Sequence, residues 1–222
     1  PNTFDYQSPI GSICQYRFLH PKLYAPRSPM LTTSHSASDQ LRAQYLKSSN
    51  SSIPRKKVIG LSWRGGGNSS RIKQKSIDIK LFSKLIQGHS DVQFVSLQYG
   101  DVDSDVSYFR QQGIDVLHDL DFNPIESLDK WLQQVASCNG IISVANTTIH
   151  GAGGLAIPTM CLLSESNDWR WLADPAVDQS YWYPSVGIAR EHAEKGWDPA
   201  FSKVKHWIDD DCRITWSCSY TV

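Results

Sequence analysis

Ile141-Ile142-Ser143-Val144-Ala145-Asn146-Thr147-Thr148-Ile149-His150-Gly151-Ala152-Gly153-Gly154-Leu155-Ala156-Ile157-Pro158 is the stretch that decides how this chain is read. Its first four residues are too apolar for a half-solvated strand, which predicts a strand covered on both sides. Asn146, Thr147 and Thr148 then supply the side-chain oxygens that the first N–H groups of a helix require. The small residues from Gly151 to Ala156 predict a helix lying close against a sheet, and Pro158 ends the unit. A helix that starts at the carboxyl end of a parallel strand presents unpaired N–H donors and partial positive charge, so an anion site is expected at 146–150. An ordinary strand-to-helix turn has the same composition, and the expectation needs support from elsewhere in the chain.

Working outward, the same alternation recurs. Short apolar runs predict strands over 58–63, 92–98, 114–117, 159–163 and 186–190. Between them, Leu81, Phe82, Leu85 and Ile86 mark one side of a helix over 79–87 that Gly88 ends, and a helix over 103–112 stops at Gly113. Ser127 caps a helix over 127–136 released at Asn139-Gly140, and Asp198-Pro199 opens a last helix with Phe201, Val204, Trp207 and Ile208 inward. Strands alternating with amphipathic helices imply an α/β fold: a Rossmann-like, doubly wound parallel sheet over residues 57–222. Residues 1–56 read differently, as an irregular segment rich in Pro, Ser and Thr, with one helix over 38–47 (Leu41, Tyr45 and Leu46 on one face) and a serine-rich linker over 48–52. That segment also holds Phe4, Tyr6, Ile10, Ile13, Tyr16, Phe18, Leu19, Leu23 and Tyr24. So much apolar surface is expected to pack on the following domain or on a portion of protein outside this sequence.

Charge and cysteine usage narrow the partners. Lys+Arg and Asp+Glu both number 22 in 222 residues, so no net charge argues for nucleic acid. No apolar run reaches the roughly 20 residues that span a bilayer, and no signal-peptide pattern follows Pro1. Cys14, Cys138, Cys161, Cys212 and Cys218 follow neither a zinc spacing nor a CxxC, which fits a reducing cytoplasm.

In a parallel sheet ligands sit beyond the carboxyl ends of the strands, and the loops there are polar. Arg64-Gly65-Gly66-Gly67-Asn68-Ser69-Ser70-Arg71, with Lys73 and Lys75 behind it, lets backbone amides approach a ligand while cations neutralise phosphate. The loop is neither GxGxxG nor a P-loop, because no helix is expected directly behind the glycines and no Gly-Lys-Ser/Thr occurs. His150, in a first helical turn where the dipole disfavours its charged form, is suited to donate to an oxyanion or to serve as a hydrogen-bonded structural residue. No His or Cys stands at ligand spacing from it, and Asp101/Asp103/Asp105 and Asp209/Asp210/Asp211 lack the EF-hand glycine and terminal Glu, so no metal site is expected. The aromatic runs Trp169-Arg170-Trp171 and Tyr181-Trp182-Tyr183-Pro184 suit a core, a lid, or a stacking surface for a sugar or base.

In order along the chain, Gly60-Leu61-Ser62-Trp63-Arg64-Gly65-Gly66, Lys75-Ser76-Ile77, Phe94-Val95-Ser96-Leu97-Gln98, the 142–158 segment, Asp168-Trp169-Arg170-Trp171 and Trp182-Tyr183-Pro184-Ser185 resemble one family. It is the carboxy-terminal, donor-binding half of the heptosyltransferase-like GT-B glycosyltransferases, particularly the branch attached to tetratricopeptide repeats, and the likeness spans about residues 57–208. It implies a nucleoside-diphosphate-sugar donor with no further cofactor. Trp63, Arg64, Gly65 and Gly66 with Asn146, Thr147, Thr148 and His150 would face the diphosphate and sugar, Lys75 would assist with charge, Gln98 would lie by the nucleoside, and Arg170 or Trp171 would line the cleft.

Two departures qualify the likeness. Many relatives have an aspartate directly after the strand where this chain has Ala145, and a full amino-terminal acceptor domain where it has 56 irregular residues. The expected function is metal-independent glycosyl transfer to an unknown glycan, lipid or protein acceptor, with the acceptor or repeat domain and the catalytic base lying outside this sequence. Two alternatives of the same architecture are a nucleotide-sugar-binding module without catalysis and a sugar-nucleotide epimerase.

Overall fold

A computed structural model describes residues 5–9, 12, 29–48, 52–67, 69–165, 169–171 and 176–214. In chain order its elements are α1 (His35–Lys47), β1 (Lys57–Ser62), α2 (Ser69–Lys75), α3 (Ile79–Ile86), β2 (Val92–Ser96), α4 (Asp103–Gln111), β3 (Val116–Leu117), a 3₁₀ turn (Leu120–Phe122), α5 (Leu128–Ser137), β4 (Gly140–Val144), α6 (Thr147–Gly154), β5 (Thr159–Leu163), a second 3₁₀ turn (Trp169–Trp171), β6 (Val186–Arg190) and α7 (Asp198–Asp209). The six strands form one all-parallel sheet in the order β3-β2-β1-β4-β5-β6. This is the Rossmann-like sheet that the alternating pattern predicts.

Strand periodicity sorts the core onto two faces. Ile59, Leu61 and Phe94 point to one side, where Phe82, Leu85 and Ile86 of α3, Phe109 of α4 and Val204, Trp207 and Ile208 of α7 cover them. Val58, Val95 and Leu97 point to the other, beneath Leu41 and Tyr45 of α1 and Trp131, Leu132 and Val135 of α5. A third group, Ile149, Cys161, Leu163, Trp171, Val186 and Ile188, fills the β5–β6 end. The start of α5 is fixed as expected, Ser127 Oγ accepting from Lys130 N at 3.3 Å.

Three details differ from the sequence reading. Leu81 is 39% exposed, since a helix of little more than two turns buries a narrower stripe than four apolar residues imply. β2 ends at Ser96, with Leu97 N still donating to Leu61 O at 2.9 Å. α2 begins two residues after Gly67, where no helix was expected: its one apolar residue, Ile72, is 37% exposed and gives no period to detect. Residues 29–48 pack on the following domain, one of the two placements expected for the amino-terminal segment. Arg42 donates from Nε to Ser137 O at 2.7 Å and from Nη2 to Ala136 O at 3.1 Å, holding the carboxyl end of α5, while Met30 N and Leu31 N both reach Gly154 O at 2.9 Å. Tyr6 is 95% exposed; the other apolar residues singled out before position 28, and linker residues 49–51, lie outside the described residues.

Candidate functional site

β1 and β4 are neighbours whose following crossovers lie on opposite faces of the sheet, so the chain leaving their carboxyl ends diverges and opens a crevice. The β1 loop, residues 63–67, and the start of α6 stand on its two sides. The Asn146 side chain joins them. Asn146 Nδ2 donates to Ser62 Oγ at 2.7 Å and to Arg64 O at 3.0 Å, while its Oδ1 accepts from Thr148 N at 2.9 Å and from Ser143 Oγ at 3.1 Å. Asn146 is therefore both the α6 cap and a cross-link between two strand ends.

Gln98, after β2, performs the matching task for the β1 loop. Its Oε1 accepts from Ser62 Oγ (3.1 Å), Trp63 N (3.1 Å) and Arg64 N (2.8 Å). The residue is 4% exposed, so its carbonyl is committed to shaping the loop. Behind the loop, Gly65 N donates to Ser76 Oγ at 3.0 Å and Ile77 N to Trp63 O at 3.0 Å. An added Cβ on Gly65 would stand 2.6 Å from Lys75 Cβ, and one on Gly66 would stand 2.5 Å from Tyr99 Oη. Gly65 is thus required for the close approach to α2, whereas at Gly66 the neighbour is the end of the 36% exposed Tyr99 side chain, which can move aside.

The expected site residues divide into two sets. Trp63 is 1% exposed; its indole packs edge-on against Phe109 at 5.4 Å and donates from Nε1 to Asp105 Oδ2 at 2.9 Å. Trp171, expected to line the cleft, is 2% exposed and lies in the β5–β6 core, stacked on His150 with centroids 6.0 Å apart. Thr148 is 3% exposed and its N–H is capped, so the two threonine hydroxyls do not share an open face; Thr147 is the exposed one. Aromatic or polar character at a strand end does not distinguish a cleft wall from the core beneath it.

The remaining set stays near the opening. His150 is half-buried, with Nδ1 3.1 Å from Tyr183 Oη and its ring edge-on to Tyr183. Burial raises the Tyr183 phenol above its ordinary value, and the Arg170 charge partly offsets this. Arg170 is exposed, its carbonyl accepting from Trp182 Nε1 at 3.1 Å. Arg64 is half-buried; its guanidinium lies 3.6 Å from Asp105 Oδ2 and donates to Asp101 O, which aims it at the start of α4. Lys75 is half-buried at the end of α2; the side chain of Arg71 lies outside the described residues. Among the described residues no group of three His, Cys, Asp or Glu is placed to hold a metal, and no helix is long and apolar enough to cross a membrane.

Beyond the ends of β2 and β3 a cleft of about 280 Å³ adjoins the β1 loop, lined by Gln98, Tyr99, His118, Asp119, Leu120 and Phe122 among others. Its size is near the lower end for small-molecule sites, enough for a planar ring system rather than a whole nucleotide sugar. His118 Nδ1 is buried there without a hydrogen-bond partner. Sequence reasoning passed over this cleft, and it also missed Ser62 and Ser143. The signal for the serines was present: each is the polar residue near the carboxyl end of an otherwise apolar strand.

No family model and no curated protein matches the chain. Solved structures do. The ADP-heptose LPS heptosyltransferase II of E. coli is similar with a TM-score of 0.59 at 14% identity, over 85% of this chain and 55% of that one. A glycosyltransferase of family 9 from Veillonella parvula is similar with a TM-score of 0.54 at 13% identity, over 82% and 53%. The chain thus spans about half the length of each. At such identities the likeness is one of fold: the Rossmann-like parallel sheet of this chain is similar to that of about half of each of these glycosyltransferases.

Proposed function

We propose that this chain is the donor-binding half of a glycosyltransferase that takes a nucleoside-diphosphate sugar and transfers the sugar without a metal ion. The observation that carries the reading is the locked pair at the switch point, where Asn146 and Gln98 hold a glycine loop against the start of α6 and a base-sized cleft opens beside them. In this reading the diphosphate lies between Gly66 and Thr147. The N–H groups of Thr147 and Ile149, which have no acceptor within the helix by geometry, and the α6 dipole meet its charge. Arg64 and Lys75 add positive charge from the other side. The nucleoside enters the β2–β3 cleft, where Tyr99 adjoins both Gly66 and the cleft wall. His150, held by Tyr183, stands one helical turn on and faces the sugar.

Developing charge on the leaving diphosphate is then stabilised by fixed N–H donors of α6, which costs no reorganisation at the moment of reaction, and Arg64 joins them by turning from Asp105. The base that deprotonates the acceptor belongs to the other half of the enzyme in this reading. Calorimetric titration of nucleosides, nucleoside diphosphates and their sugars tests the proposal. Diphosphates are expected to bind more tightly than nucleosides, and a ligand at 100 times its dissociation constant raises stability by about 2.7 kcal/mol. Equal affinity for nucleoside and diphosphate would sink the diphosphate assignment. Donor binding with neither transfer nor hydrolysis, once an acceptor half is supplied, would favour a binding module, and a changed sugar without any acceptor would favour an epimerase.

A further inference from the structure

The cleft beside the β1 loop has an outer wall made by residues 118–126, and a residue of α1 holds that wall from behind. Tyr45 is 3% exposed; its hydroxyl donates to Asp119 Oδ2 at 2.9 Å and accepts from Gln134 Nε2 at 3.1 Å. The other oxygen of the same carboxylate, Oδ1, accepts from Asp121 N at 3.2 Å and caps the 3₁₀ turn Leu120–Phe122. One oxygen therefore sets the turn and the other ties it to α1. Apolar burial anchors the wall through the partly buried Phe122, while Leu120 is 75% exposed and Ile125 76%. His118, whose buried Nδ1 has no partner, opens the same wall. Small displacements here move the groups that a bound ring system would meet.

We propose that Tyr45 is a positioning residue for this cleft: through Asp119 its hydroxyl sets where residues 118–126 stand against a bound nucleoside, so that α1 contributes to donor selection. The ligand part of this rests on the reading of the cleft as the nucleoside subsite; the mechanical part does not. A hydrogen bond to a carboxylate is among the stronger neutral-donor bonds, and removing one partner leaves both Asp119 and the buried Gln134 amide short of one.

Tyr45→Phe keeps the ring in its core position and removes only the hydroxyl. On the full chain, amide hydrogen exchange is expected to quicken about tenfold over 118–126 and to stay unchanged over β1 and α6, as a local loosening requires. Nucleoside monophosphate affinity is expected to fall about tenfold, and pyrophosphate affinity to hold. Unchanged exchange over 118–126 overturns the positioning role outright. Parallel weakening of nucleoside monophosphate and pyrophosphate also overturns it, since that marks a general loss of structure. A wild-type chain that binds pyrophosphate and no nucleoside overturns the reading of the cleft instead, and the exchange arm then decides the mechanical role by itself.

Discussion

Asn146 uses both ends of its amide on the fold: two donated bonds cross to the β1 strand end and its loop, and two accepted bonds cap α6 and tie back to β4. Asn146→Ala is therefore expected to lower stability by about 2–3 kcal/mol, the sum of a lost cap and two partly buried hydrogen bonds, and to weaken diphosphate binding as the crevice loosens. Thr147→Ala, one position on and exposed, separates the two effects. It should change the melting temperature little while reducing diphosphate affinity, and a fall in melting temperature with unchanged affinity would remove Thr147 from the site. The sequence made Asn146 legible as a cap because capping is local, but its bonds to Ser62 and Arg64 join residues more than 80 positions apart. Trp63 and Trp171 show the same limit from the other side. Each lies in a segment that follows a strand and has ligand-like chemistry, and only the packing of distant elements shows that they are enclosed.

At the scale of elements, α6 explains the glycines of the opening stretch. An added Cβ on Gly151 would lie 2.8 Å from the Trp131 ring, one on Gly153 2.3 Å from Tyr183 Cγ, and one on Gly154 2.7 Å from Leu31 Cδ1. The small residues thus admit α5, Tyr183 and the chain before α1, a more specific requirement than lying close to a sheet. Gly153→Ala is expected to cost about 1–3 kcal/mol by overpacking, and it must displace the ring whose hydroxyl holds His150. The ring signals of His150 in an NMR spectrum at one fixed pH should then differ between variant and wild type; identical signals would show that Tyr183 does not position that imidazole. The periodic helices α3, α5 and α7 were readable from apolar spacing, and α1 as well, although its destination was not. α2 was unreadable for a physical reason: a polar two-turn helix whose one apolar residue, Ile72, is exposed leaves no apolar period.

For the whole molecule, the sheet and its class were legible because both faces are covered and the central strands are mostly apolar with no alternation of buried and exposed positions. Strand order was not, since each crossover permits several neighbours, and with it went the cleft beyond β2 and β3. The tight two-sided packing also has a consequence in alkali. Cys138 is buried beside Gly60, where an added Cβ would stand 3.1 Å from its Sγ, and Cys212 is buried against Gly140. Burial pushes each thiol up from an ordinary value of 9.0 to about 12, and it raises the Tyr45 phenol well above its usual range. A folded-state pKa above the unfolded one contributes stability that is complete below the unfolded value and is lost as pH rises through the folded one, so the window here runs from 9.0 to about 12. At pH 10.5 each thiol is expected to have lost about 2 kcal/mol, at roughly 1.36 kcal/mol per pH unit. Urea unfolding at pH 8 and pH 10.5 measures the difference. Cys138→Ala and Cys212→Ala each lower stability through the cavity they leave, yet the double variant should show a much shallower fall between the two pH values. A fall as steep as that of the wild type would show that these thiols ionise without unfolding the core around them.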